Sequence, residues 1–156
     1  MTDLFAINIM TSIVITIASD VSIGELSKIL LENKISGVPV VDKEGKLIGI
    51  VSEADIIREN IKVRFPFYFD PLMISGFAGD FEKYSDDIKE YLSTSVETIM
   101  NHHVKTVKTS TPVSEIADIM ISSAINRIPV VDENKKVVGI ITRADIIRSM
   151  IETKSL

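Results

Sequence analysis

Apolar and polar positions along the chain fall into one pattern that occurs twice. Residues 9–58 align without a gap on residues 99–148, at a constant offset of 90 positions. In each copy a β-branched stretch, 14–17 or 104–107, predicts a strand. Next, Ile23, Leu26, Ile29 and Leu30 share one face of a 3.6-residue period, and Val113, Ile116, Ile119 and Met120 share the matching face. An amphipathic helix is expected in both places. Ser22 and Glu25 read as a capping box for the first, and Thr111-Pro112 as an N-cap followed by proline at the first helical position of the second. Two short apolar runs then flank a polar turn: 38–41 and 47–51 around DKEGK, 128–131 and 137–141 around DENKK. Each set predicts a hairpin. A closing helix carries Ile56, Ile57 and Ile61, or Ile146, Ile147 and Met150.

The order per copy is strand, helix, strand, strand, helix, so the predicted class is α+β, a mixed α/β fold. A unit of about 50 residues buries too little surface to be stable alone, so the two copies are expected to pack as one pseudo-two-fold module. The expected division is repeat 1 at 8–60, an insert at 61–95 and repeat 2 at 96–152. The insert holds eight of the nine aromatic residues, among them Phe65, Phe67, Tyr68, Phe69 and Phe77. Phe81, Tyr84, Ile88, Tyr91 and Leu92 are spaced as a helical apolar stripe. Such a segment either covers the body or a dimer partner, or forms a docking surface or lid.

Composition narrows the functions. Hydrophobic residues make up 46% and charged residues 25%, as in compact globular proteins. A formal charge of −5 argues against nucleic acid and anionic membranes as general partners. With no cysteine there is no thiolate chemistry and no sulfur-ligated metal, which fits a reducing cytoplasm. Few thermolabile residues and many Ile, Lys and Glu lean towards a thermophile. The apolar stretch 5–18 is too short to span a bilayer and is interrupted by Asn8, Thr11 and Ser12. His102-His103 is the only histidine pair, and no suitably spaced ligand accompanies it, so no metal site is expected.

Candidate chemistry sits where each hairpin runs into the closing helix. Ser52-Glu53-Ala54-Asp55 and Thr142-Arg143-Ala144-Asp145 place a hydroxyl three residues before an aspartate. A helix cap alone explains the hydroxyl, and an acidic first turn suits the helix dipole. A carboxylate at a strand-to-helix corner can also accept hydrogen bonds from the vicinal hydroxyls of a ribose. The two roles are compatible if hydroxyl and carboxylate serve different partners. Pro39 and Pro129 are expected at strand starts or edges, leaving the preceding backbone for a ligand such as a planar base.

These paired units, with h-P-V-V-D, a turn, h-h-G-h-h-[ST]-x-x-D and a preceding amphipathic helix, resemble CBS (cystathionine-β-synthase) domains, and together they resemble a Bateman module. The resemblance covers nearly all of the chain outside 61–95. It implies a βαββα fold in each half, up to two adenosyl sites in a cleft, and pairing into dimers. The implied ligands are AMP, ADP, ATP or S-adenosylmethionine, bound to regulate another protein, possession of a catalytic cofactor not being implied. Carried onto this sequence, it makes Asp55 and Asp145 ribose acceptors, with Ser52 and Thr142 near sugar or phosphate. Thr16, Ile17, Thr106 and Val107 line base and ribose. Gly37, Val38 and Pro39, and Asn126, Arg127, Ile128 and Pro129, form the other wall.

The copies differ at Gly37 and Arg127. Family members that bind phosphorylated adenosine often carry a basic residue at this place, and a guanidinium pairs bidentately with an oxyanion. Lys105 and Lys108 could add to the field. An asymmetric module is expected, with the Arg127 half favouring a phosphorylated nucleotide; the plainer alternative is a solvated surface arginine. No phosphate loop, H-E-x-x-H motif or nucleophile–base grouping is present, so intrinsic catalysis is not expected. Two readings remain: a nucleotide sensor that signals to a separate protein, with 65–91 as the candidate surface, and a dimeric scaffold that binds no nucleotide.

Overall fold

The computed structural model describes residues 4–60 and 78–152. In chain order the elements are α1 (Ala6–Ile9), β1 (Ile17–Ala18), α2 (Ile23–Asn33), β2 (Gly37–Val41), β3 (Leu47–Ser52), α3 (Glu53–Asn60), α4 (Ala78–Ser93), a 3-10 turn (Val96–Thr98), α5 (Val113–Ser122), β4 (Arg127–Val131), β5 (Val137–Thr142) and α6 (Arg143–Glu152). One sheet has the order β1-β2-β3 and the other pairs β4 with β5. The mixed α/β class and the duplicated helix–hairpin–helix order are as the sequence predicts.

The chain divides into two compact units that cut across the repeats. One contains the N-terminal segment up to Thr16, Pro39–Ile50 and the chain from Asn101 onward; the other contains Ile17–Val38 and Val51–Met100. In the first unit the core is Ala6, Val107, Ile116, Met120, Ile128, Val130, Ile141 and Ile146. α5 contributes Ile116 and Met120 because they lie four residues apart on one helical face. β5 buries alternate residues, Gly139 and Ile141, as a strand covered on one face requires, whereas β4 is buried at each position from Ile128 to Val131. Their antiparallel register sets Arg127 opposite Thr142 and Pro129 opposite Ile140. The chain start is tied in by Ala6 N–H to Thr111 O (2.8 Å) and by reciprocal bonds between Thr11 and Ile140 (2.9 and 3.0 Å). Likewise Leu47 N–H donates to Lys135 O (3.0 Å), and Ile50 and Asn101 exchange two backbone bonds.

In the second unit α2 buries Ile23, Leu26 and Leu30. The Ser22 hydroxyl accepts from Glu25 N–H at 3.2 Å, as expected of an N-cap. Val96 N–H donates to Val21 O (2.8 Å), and Ser95 Oγ donates to Ser19 O (2.6 Å). Tyr91 Oη donates to the carbonyl of Ile56 (2.8 Å), which anchors the C-terminal part of α4 to α3. The other aromatic residues expected to matter between 61 and 84 lie outside the described residues or side chains.

Three local expectations are corrected. Of the stretch 14–17 only Ile17 enters a strand, the two-residue β1, and 104–107 contributes a single parallel bridge from Val107 to Val130. Only Ile17 and Val107 are buried there; without neighbours also facing the core, β-branching alone does not extend the strand. Pro112 is the N-cap of α5, not its first helical residue, and Thr111 Oγ1 accepts from Lys108 N–H (3.0 Å). Pro39 and Pro129 stand in the middle of β2 and β4 instead of at strand starts, while the expected edge position holds for Pro129 in the two-stranded β4–β5 sheet. Pro129 O accepts from Val107 N–H (3.1 Å), so its nitrogen also faces the edge that only Val107 pairs, away from β5. The missing N–H therefore removes no β4–β5 bond.

Candidate functional site

Each closing helix begins directly at the end of a hairpin strand, and this abrupt junction fixes the Ser52–Asp55 and Thr142–Asp145 corners. In repeat 1, Asp55 Oδ2 accepts from both Ser52 N–H (2.8 Å) and Ser52 Oγ–H (2.6 Å). In repeat 2, Asp145 Oδ2 accepts from Thr142 N–H (2.8 Å) and Thr142 Oγ1–H (2.7 Å). The aspartate is therefore the acceptor half of a capping box, reaching back to the residue that opens the helix. This corrects the expectation of separate partners, because hydroxyl and carboxylate hold each other. The preceding wall is held too: Glu53 N–H donates to Ser36 O (3.1 Å) and Arg143 N–H donates to Asn126 O (3.2 Å). Each of these carbonyls accepts a backbone hydrogen bond, which ties the wall to the start of the closing helix.

The two corners are chemically alike but differ in closure. Asp145 is buried, its side chain 10% exposed, and Arg148 Nη1 donates to its Oδ1 at 2.9 Å. The Asp55 side chain is 19% exposed, and Arg58 Nη1 stands 3.7 Å from its Oδ1, beyond hydrogen-bond range.

The second-repeat residues expected at the site all lie in the first unit. Thr142 faces Arg127 across the β4–β5 ladder, and Val107 bonds to Pro129 on the other edge of β4. Arg127 is half-buried; Thr106 and Asn126 are exposed; Val107 and Ile128 have their side chains in the core. Of the first-repeat residues, Ile17, Gly37, Val38, Ser52 and Asp55 belong to the second unit, whereas Thr16 and Pro39 belong to the first. Lys108 does not supply a loose positive field: its Nζ donates to Asp132 O (2.9 Å) and pairs with Glu133 (3.2 Å), bracing the β4–β5 turn.

A cavity of about 220 Å³ also opens in the first unit. Leu47, Ile48, Val104 and Val131 supply its apolar walls, and His102, Thr106 and Lys135 its polar groups. Of these only Thr106 is among the residues expected at a site. His102 reads as an ordinary loop position, and the lining combines one copy's β3 with the other copy's lead-in and turn. Only the fold brings such residues together. Among the described residues no cluster of three or more His, Cys, Asp or Glu could hold a metal ion. No described helix is long and apolar enough to cross a membrane.

The model of the CBS domain matches residues 6–62 and 96–152, the two copies in turn. The chain belongs to the CBS-domain family. It is 33% identical to protein MJ1426 of Methanocaldococcus jannaschii over 144 residues, covering 88% of this chain and 86% of that protein. It is 31% identical to L-aspartate semialdehyde sulfurtransferase of the same organism over 134 residues, which are only 21% of that enzyme. Among solved structures, the CBS domain pair of protein MJ0100 in complex with 5'-methylthioadenosine and S-adenosyl-L-methionine is 28% identical. The match covers 97% of this chain and 98% of that one, with a TM-score of 0.71. Protein MJ1225 of M. jannaschii is similar at 26% identity and a TM-score of 0.76, over 95% of this chain and 48% of that one. The CBS pair occurs both in proteins of this size and as a fraction of larger enzymes.

Proposed function

We propose that this CBS pair is a non-catalytic regulatory module that binds an adenosine nucleotide or S-adenosylmethionine and passes the binding on to a separate protein. The observation that carries the reading is the twice-built corner, in which a backbone N–H and a hydroxyl fix an aspartate at a strand-to-helix junction. A carboxylate so fixed presents its remaining lone pairs in a set direction, which suits the vicinal hydroxyls of a ribose. The adenosyl ligands of the MJ0100 domain pair support the ligand class. Asp55 and Asp145 receive the sugar, with Ser52 and Thr142 beside them, and Arg127 faces an anionic phosphate or a carboxylate.

Homodimerisation belongs to the same proposal. Leu31 and Ile121 occupy equivalent places in the two repeats and are each 74% exposed; so do Ile57 (61%) and Ile147 (58%). The same two helical positions leave large apolar side chains in water in both copies, which suits a second copy as the covering surface. A cytoplasmic setting and a regulated partner that docks through 65–91 complete the reading.

One observation favours a scaffold without ligand. The aspartates already have partners in their own helices, and capping alone accounts for them. Calorimetric titration separates the two. AMP and S-adenosylmethionine are titrated into nucleotide-free protein, its Asp55→Asn and Asp145→Asn variants and Arg127→Ala. Micromolar affinity, about −8 kcal/mol, lost when both aspartates are replaced is expected. A folded protein that gives no heat with either ligand makes the scaffold the function. Arg127→Ala should weaken AMP more than uncharged adenosine.

A further inference from the structure

The repeats share the sequence Ala-Asp-Ile-Ile-Arg, so each corner aspartate has an arginine one helical turn ahead of it, at i+3. At Asp145 this arginine is engaged: Arg148 Nη1 lies 2.9 Å from Oδ1 while Thr142 fills Oδ2 with two bonds. At Asp55 the same arginine stands off at 3.7 Å. We infer that Arg148 is a latch on the repeat-2 sugar site: it competes with a ribose diol for Asp145 Oδ1, whereas Asp55 is presented unlatched. This inference rests on the adenosyl reading and concerns the order in which the two corners fill.

A carboxylate oxygen holds about two in-plane acceptor positions. Oδ2 of either aspartate is taken by the hydroxyl and N–H of its own helix start, so a diol must rely mainly on Oδ1. That oxygen carries a charge-assisted bond at Asp145, and such bonds are about twice as strong as neutral ones. A neutral sugar hydroxyl does not displace it without loss. Burial sharpens the difference, since the Asp145 side chain is 10% exposed against 19% for Asp55, and water is less able to replace the arginine. The guanidinium of Arg148 is itself 63% exposed, so it can swing into solvent without a cavity being left behind. The Asp55 corner is thus the first to take a neutral adenosyl ligand. Arg127 raises the repeat-2 affinity only for ligands that carry negative charge.

Adenosine is the probe, because it has the diol and no charge, and 2'-deoxyadenosine is its control. Arg148→Gln in an Asp55→Asn background reads the Asp145 corner; Arg58→Gln in an Asp145→Asn background reads the other. Breaking a partly exposed ion pair is worth about a two- to fivefold gain in adenosine affinity for Arg148→Gln. No gain is expected for Arg58→Gln, nor for 2'-deoxyadenosine with either variant. A residue that merely supports the helix would lower affinity when replaced, the opposite sign. Weaker or unchanged adenosine binding in Arg148→Gln, or an equal gain for the deoxy compound, overturns the latch while leaving the adenosyl reading intact. Failure of adenosine, AMP and S-adenosylmethionine to bind wild type and every variant removes both.

Discussion

Replacing Asp145 with alanine should destabilise the protein clearly more than the same change at Asp55. At Asp145 three hydrogen bonds are lost: those from Thr142 N–H, Thr142 Oγ1–H and Arg148 Nη1. Thr142 is half-buried, so its N–H recovers part of its hydration, and the loss of the box is worth about 1 kcal/mol. The hydroxyl and N–H of half-buried Thr142, left without their carboxylate partner, add roughly another 1 kcal/mol. Arg148 is largely exposed and its pair adds about 0.5 kcal/mol. The total, about 2–3 kcal/mol, corresponds to a fall of roughly 5–10 °C in melting temperature for a chain of this size. At Asp55 the carboxylate is more open and Arg58 stands beyond hydrogen-bond range of it, which leaves about 1–1.5 kcal/mol. Urea unfolding of both variants, followed by far-UV circular dichroism without ligand, measures the difference. Asp55→Ala costing as much as Asp145→Ala, or Asp145→Ala costing less than about 0.5 kcal/mol, would refute the argument that burial and the arginine distinguish the corners.

Other expectations follow from single contacts. Lys34 and Ala124 hold left-handed φ angles of 53° just past α2 and α5, where Ile35 and Ile125 N–H groups donate to Leu30 and Met120 carbonyls at 3.0 Å. Glycine suits that conformation, so Lys34→Gly and Ala124→Gly should each raise stability, by about 0.5–1 kcal/mol, in the same urea assay. Adjacent residues of α2 should part company: Leu30→Ala, 2% exposed, costs about 2–5 kcal/mol. Leu31→Ala, 74% exposed, stays within about 0.5 kcal/mol, yet the proposed homodimer requires that Leu31→Ser with Ile121→Ser lower the sedimentation coefficient towards that of a monomer. Gly139→Ala puts a Cβ against the Met10 side chain, whose own Cβ is 3.2 Å from it, and should cost about 1–3 kcal/mol. Adding Met10→Ala should return part of that loss in a double-mutant cycle.

What the sequence made legible depended on how local the cause was. Hairpins and amphipathic helices could be read because alternation and 3.6-residue spacing record which side chains face a core, and Ile23, Leu26, Ile116 and Met120 are buried as that spacing requires. The strand at 14–17 was misjudged because β-branching records only a preference; Ile13, at the edge of the same stretch, is 92% exposed. The corner aspartates could be found, but not their partners. Ser or Thr at the helix start is equally able to accept from the backbone, as Ser22 does, or to donate to a carboxylate, as Ser52 and Thr142 do. The cavity was invisible, since Leu47 and Lys135 meet only after two separate stretches of chain fold together.

The difference between Arg58 and Arg148 is the most instructive of these, because no reading of local sequence could supply it. Both arginines sit at the third place after an aspartate in identical five-residue stretches, and both aspartates take the same two bonds from their helix starts. The distances of 3.7 Å and 2.9 Å go with aspartate side chains that are 19% and 10% exposed. Duplication therefore preserves two things differently. Exposed apolar positions recur in both copies, Leu31 with Ile121 and Ile57 with Ile147. The corners keep their chemistry but not their closure. On the proposed function, two corners of the same chemistry and different closure would bind the same ligand unequally, without a second kind of site.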